Sequence, residues 1–152
     1  MQFAVVHGDI TSNELTTVSN VVNKIDKLIE GVKTKYGYCW GDFKKIIHIT
    51  DTDGVFTKGC VIEADVEKIQ YYEDHMEGSN VKAIECRNKH KSDILLKLYS
   101  TGKVRKIDYH IFFNSCNLEH VLYNKLENFS DEDKEKMADS FAERYDGNVN
   151  DF

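Results

Sequence analysis

Two aspartates one residue apart end a run of β-branched residues in Lys45-Ile46-Ile47-His48-Ile49-Thr50-Asp51-Thr52-Asp53-Gly54-Val55-Phe56. In an extended segment, residues i and i+2 point to the same side. Carboxylates aimed at one point favour a hard divalent cation, Mg²⁺ or Mn²⁺. Such an ion would polarise a phosphodiester and lower the pKa of a bound water. Two further acids are candidates to complete its shell. Asp9 follows the apolar run Phe3-Ala4-Val5-Val6-His7, and Glu119 opens an apolar-periodic segment. Acids gathered without a cation repel one another, which predicts a raised pKa for at least one of them. Plainer roles stand beside these. Asp-Thr-Asp-Gly also closes strands as a polar turn, and Glu119 suits the first turn of a helix on dipole grounds alone.

A chemistry of phosphate esters also needs positive charge. Residues 81–106 carry Lys82, Arg87, Lys89, Lys91, Lys97, Lys103, Arg105 and Lys106 against Glu85 and Asp93. This segment is the candidate nucleic-acid contact, through Lys82, Arg87, Lys89, Lys91, Lys103, Arg105 and Lys106, acting on the backbone as point charges. A solvated helix face and turn would use the same residues. The preceding residues 61–80 are acidic, with six carboxylates against Lys68, and form a candidate cover over the site.

The elements that must hold these groups are legible from periodicity. Lys45 to Thr50 reads as a buried strand, with Asp51 and Asp53 at its C-terminal end, where open α/β sheets bind ligands. Gly54 permits a sharp turn after it. Phe3–His7 reads as a strand before it, and Val81–Cys86, by alternation, and Ile107–Phe113 as two more after it. Helices are expected near 14–36, 92–101, 117–127 and 131–145. The first carries an apolar stripe from Val18 to Val32 and has Gly37 as a left-handed cap. Ser130-Asp131-Glu132-Asp133 opens the last, with its acids read as capping. Trp40 is expected to anchor a short connector, and residues 60–78 to form a loop with a short helix. Strands alternating with helices predict an α/β fold, a mostly parallel sheet with helices on both faces. The strand ends would then bring Gly8-Asp9, Asp51-Thr52-Asp53 and Asn114–Glu119 to one edge.

The 152 residues suit one domain with its own core, and 41% hydrophobic with 30% charged is ordinary globular composition. No apolar run approaches the roughly 20 residues of a membrane span. No secretory signal is evident at Met1–Val6, and the scattered Cys39, Cys60, Cys86 and Cys116 suit a reducing cytoplasm better than a zinc cluster. The net charge of −6 resides in residues 119–152. The strand-like start and polar end leave open that the chain is a fragment of a longer one.

The strand ending Asp51-Thr52-Asp53-Gly54 resembles the Asp-x-Asp motif of Toprim-fold proteins, which include topoisomerase and primase domains and nucleases of bacterial phage-defence systems. Ser115-Cys116-Asn117-Leu118-Glu119-His120-Val121-Leu122 is similar to the Asn-Pro-x-Phe-Glu-x-Trp-Leu block of RloB-like members, matching at Glu119 and the aliphatic Leu122. The resemblance, which extends to OLD-like nucleases, implies a Rossmann-like (Toprim-like) fold and Mg²⁺-dependent cleavage of nucleic acid. It implies a cytoplasmic setting in a defence or mobile-element assembly, with a protein partner there. It assigns metal binding to Asp51, Asp53 and Glu119. A Toprim first strand closes in Glu; here His7-Gly8-Asp9 stands at that place, so that the Glu is either missing or replaced by Asp9 in the catalytic role. A second resemblance competes. Thr50-Asp51-Thr52-Asp53-Gly54-Val55-Phe56 is similar to the first motif of haloacid-dehalogenase-type phosphatases, with Asp51 as nucleophile and Asp53 as acid/base. That family also needs a strand ending in Ser or Thr, a lysine and a further acidic pair. A catalytically inactive nucleic-acid- or protein-binding module is the third possibility.

Overall fold

The computed structural model describes residues 4–57, 59–116, 118–124 and 129–145. Helix α1 (Val21–Tyr36) is followed by a 3₁₀ turn at Trp40–Asp42 and strand β1 (Lys45–Asp51). Three short strands come next, β2 (Val61–Glu63), β3 (Gln70–Tyr71) and β4 (Met76–Gly78). Then follow the long helix α2 (Val81–Tyr99), strands β5 (Lys103–Val104) and β6 (Ile107–Asn114), and helices α3 (Leu118–Tyr123) and α4 (Asp131–Tyr145).

Two three-stranded sheets result, ordered β1-β6-β5 and β2-β4-β3. Each has one parallel and one antiparallel pairing. The expected mostly parallel sheet is therefore corrected to two small mixed sheets. The longest ladder is the parallel one, β1 on β6, in register from Lys45 opposite Asp108 to Asp51 opposite Asn114. Its chains stay together beyond the strands. Thr52 N–H donates to the Asn114 carbonyl at 3.1 Å and Asp53 N–H to the Cys116 carbonyl at 2.7 Å.

Alternation along β1 and β6 decides what is covered. Ile46, Ile107 and Tyr109 point into a core shared with Val21 and Ile25 of α1 and Ile94 and Leu98 of α2. Ile47, Ile49 and Phe112 lie on the opposite face and stay more than half exposed, at 55%, 64% and 56%. Helices on both faces, as expected from alternation of elements, are thus not what the described residues show over this ladder.

Other expectations fail for identifiable reasons. The described part of the expected first strand, residues 4–7, is exposed and irregular; Phe3 lies outside the described residues. The expected strand Val81–Cys86 and helix 92–101 are one helix. The alternation over six residues is also satisfied by Val81, Ile84, Asn88, Lys91, Leu95 and Leu98 at steps of three and four, and the intervening Lys, Ala and Glu favour a helix. Asn80 caps it, accepting from Ala83 N–H at 3.0 Å. Residues 60–78 form strands instead of a loop with a helix. The first helix starts at Val21 rather than near 14, because Asn20 and Thr17 are tied into a turn. Part of the expected helix 117–127 lies outside the described residues; α4 spans the residues expected of it. Gly37 caps α1 in the left-handed region, with φ 69°. Trp40 packs against the core, with the Arg105 guanidinium 4.1 Å from its ring centroid.

Candidate functional site

The C-terminal end of β1 carries Asp51 as its last strand residue and Asp53 in the turn beyond. Asp53 (φ 48°) and Gly54 (φ 69°) both adopt left-handed backbone. The extended i, i+2 geometry expected for the two aspartates therefore ends between them. A Cβ on Gly54 would lie 3.0 Å from Tyr71 Cδ1 and 3.4 Å from Met76 Sδ, so the turn packs directly against the small sheet.

The two carboxylates have different partners. Asp51 Oδ1 accepts from the side-chain amide of Asn114 at 2.8 Å, across the in-register end of the parallel ladder. Asp53 Oδ2 meets Lys91 Nζ at 2.5 Å. The same ammonium lies 3.0 Å from Asp9 Oδ2 and donates to Ser12 Oγ at 2.9 Å. Lys91 is 1% exposed, whereas the side chains of Asp9 and Asp53 are 38% and 30% accessible. A ligand from solvent can thus reach the acids but not the cation behind them.

Local sequence explains each position. Asp9 folds back on its own loop, accepting from Thr11 N–H at 2.8 Å and Ser12 Oγ at 2.6 Å. Thr11 and Ile10 secure that loop: Thr11 is fully buried and Ile10 packs on the core. From α2, Arg87 and Lys91 stand four residues apart on one face. Arg87 Nη2 donates to the Asp53 carbonyl at 3.0 Å while Lys91 takes its carboxylate. The helix grips both the main chain and the side chain of one turn residue.

The electrostatics follow. Partial burial pushes the Asp9 carboxyl up, but hydrogen bonds from Ser12, Thr11 and Lys91, with the Lys91 charge, outweigh it and hold Asp9 well below the ordinary carboxylate range. The expected rise from mutual repulsion does not occur at Asp9, because the hydrogen bonds from Ser12 and Thr11, with Lys91 behind them, stabilise its charged form. Nearby, burial lowers the pKa of His48, opposed by the charge of Asp9; its Nδ1 is hydrogen-bonded to the Tyr109 hydroxyl at 2.7 Å.

Of the expected site residues, Asp9 and Asp53 converge on one ammonium, and Asp51 sits beside them at the same sheet edge. The Glu119 backbone belongs to α3, and its side chain lies outside the described residues. Of the expected nucleic-acid contacts, Lys91 is interior and Arg87 is committed to Asp53, Tyr71 and Asn88. Arg105 pairs with Asp26, and Lys103 with Asp108 at 3.2 Å. Lys89, 80% accessible, stands 3.6 Å from Asp93. Lys82 and Lys106 are exposed and form no ion pair among the described residues.

The described residues contain no group of three or more His, Cys, Asp or Glu placed to share a metal ion. Mg²⁺ does not require one. It keeps several waters and is commonly bound by one or two carboxylates with substrate oxygens. Asp51 and Asp53 have the donor chemistry for it, hard oxygens at one strand end, although the turn at Asp53 gives their carboxylates different partners. Sequence reasoning missed Ser12, the Asn114 amide and the interior role of Lys91. Its available signal was a lysine at a core position of a helix, between Ile84 and Leu98 at helical spacing. No helix of the described residues is long and apolar enough to cross a membrane. Compared with known proteins, the chain matches no family model, no curated protein and no solved structure.

Proposed function

We propose that this sheet edge performs Mg²⁺-dependent (or Mn²⁺-dependent) cleavage of nucleic-acid phosphodiesters, as a Toprim-like nuclease. The observation that carries it is the parallel, in-register pairing of β1 with β6, which ends at Asp51 opposite Asn114 and so sets the Asp-x-Asp turn beside the start of the block beginning at Ser115. Those are the two segments on which the resemblance rests. Asp51 and Asp53 would hold the ion, with Glu119 as a further ligand. Bound there, the ion would supply Lewis-acid activation of the phosphate and of a water. The chain's own residues do the positioning. Asn114 fixes one Asp51 oxygen, Arg87 fixes the Asp53 main chain, and Lys91 ties Asp53 to Asp9. Asp9 is the acid/base candidate by the resemblance alone; its bonds to Thr11, Ser12 and Lys91, which hold its carboxyl low, suit a fixed negative charge better. Exposed Lys82, Lys89 and Lys106 would meet the nucleic-acid backbone. A cytoplasmic defence or mobile-element setting, with a protein partner, follows from the resemblance alone.

One observation favours a phosphatase instead. Lys91 provides a lysine within the carboxylate cluster, as haloacid-dehalogenase-type chemistry needs, with Asp51 as nucleophile. Its contacts are to Asp53 and Asp9, however, and no strand follows β6 among the described residues. Incubating the protein with labelled single- and double-stranded DNA and RNA, with Mg²⁺ or with chelator, decides. Chelator-sensitive cleavage that Asp51→Asn abolishes is expected. Hydrolysis of a small phosphomonoester with transient phosphorylation of Asp51 would replace the nuclease by the phosphatase. Nucleic-acid binding with no hydrolysis of either substrate would leave a binding module.

A further inference from the structure

Lys91 is the least expected group in this site. A lysine ammonium is rarely taken out of water unless paired. Here it is 1% exposed, and its partners are two carboxylates from distant parts of the chain, Asp9 and Asp53, with Ser12 Oγ as a third acceptor. An ammonium has three donors, and these three contacts match them. It belongs to the buried face of α2, with Ile84, Ile94, Leu95 and Leu98.

Enzymes that cleave phosphodiesters often use two divalent ions about 3.5–4 Å apart, bridged and flanked by carboxylates. With a first ion at Asp51 and Asp53, the pair of carboxylates that would face a second is Asp9 and Asp53. In this chain the position between Asp9 and Asp53 is already taken by a covalently tethered positive charge. We infer that Lys91 is a resident counter-cation in place of a second metal, so that the site takes one divalent ion, at Asp51 and Asp53, and not two. This rests on the metal-dependent reading above for the first ion only. Lys91 is here a positioning residue: it holds Asp9 and Asp53 at a fixed separation and sets the ion stoichiometry.

The consequence is an exchange of cations. Removing the lysine charge leaves Asp9 and Asp53 facing each other without compensation, and a divalent ion then becomes the favoured replacement. Calorimetric titration of Mn²⁺ into the full chain, with unfolding followed in parallel by circular dichroism, tests this on the parent, Lys91→Met, Lys91→Arg and Lys91→Met/Asp9→Asn. One ion per chain is expected for the parent and for Lys91→Arg. Lys91→Met should bind two, and its unfolding midpoint should rise with Mn²⁺ at concentrations that leave the parent unchanged. Adding Asp9→Asn should return the count to one. A Lys91→Met that needs Mn²⁺ to fold gives the same support. Two ions in the parent, or one ion and no Mn²⁺-dependent stability in Lys91→Met, overturns the inference while leaving the metal-dependent reading intact. No ion in the parent overturns that reading, and the single-ion claim with it. Lys91→Met and the double variant both unfolded at every Mn²⁺ concentration would show that Lys91 is required for packing rather than for charge, and would also overturn the inference.

Discussion

At the scale of single residues, Lys91 does the most, and its removal should be costly. Truncating one member of a buried charge cluster leaves the others uncompensated, a loss of about 3–5 kcal/mol in comparable cases. Lys91→Ala should therefore lower stability by about that amount in urea unfolding, and Asp9→Asn in the same chain should recover part of it. The pH dependence follows from the signs of two shifts. Asp9 is held below the ordinary carboxyl range in the fold. Its contribution is full above the unfolded-state value of about 4 and is lost as pH falls below it. His48 is also depressed, by burial, so its contribution is full above about 6.5 and fades as pH falls through that value toward the folded one. Urea midpoints measured on acidification should fall in two stages. His48→Gln should remove the shallow upper stage and Asp9→Asn should reduce the lower. A midpoint flat down to about pH 4 in the parent would contradict the His48 assignment. Site legibility in the sequence was partial for a simple reason. Asp51 and Asp53 announce themselves because a single residue separates them at the close of an aliphatic run. Lys91 lies 38 residues from Asp53 and 82 from Asp9, and only its place on a helix face marks it as interior.

At the scale of elements, the chain shows where periodicity is sufficient and where it is not. The strands Lys45–Asp51 and Ile107–Asn114 and the helix Val21–Tyr36 were legible because each is long and rich in aliphatic residues at one spacing. Val81–Cys86 was misread because six residues satisfy both a period of two and one of three to four. The strands β2, β3 and β4 have two or three residues each, too few for any pattern to register. They are held in place instead by tertiary contacts such as that of Tyr71 and Met76 on Gly54. Two substitutions probe these packings. Ile94→Ala removes a fully buried side chain from the interface of α1, α2 and the larger sheet, and should cost about 2–5 kcal/mol. Gly54→Ala forces a left-handed residue to carry a Cβ 3.0 Å from Tyr71 and should cost about 1–2 kcal/mol. It should also displace the Asp53 carboxylate from Lys91. Thermal unfolding of both variants checks the costs; a Gly54→Ala variant as stable as the parent would contradict the tightness of this turn.

At the scale of the whole molecule, charge is the deciding property. The formal net charge is −6, so any nucleic-acid affinity must come from a local patch. That patch is smaller than the basic count of residues 81–106 suggests, because Lys91 and Arg87 serve the site's own architecture and Arg105 and Lys103 are paired. Lys82→Glu with Lys89→Glu should weaken binding for all sequences alike. It should also flatten the dependence of log K on log salt, by about 1 per phosphate contact removed. Unchanged binding in that variant would place the contact elsewhere on the molecule. Asp51 and Asp53 are proposed to share a divalent ion at the end of β1. Crystals of the parent soaked in Mn²⁺, with anomalous difference density measured at the manganese edge, test it most directly. One peak within coordination distance of both carboxylates, with Lys91 still bridging Asp9 and Asp53, is the predicted result; absence of a peak there, or a peak only elsewhere on the molecule, would contradict it.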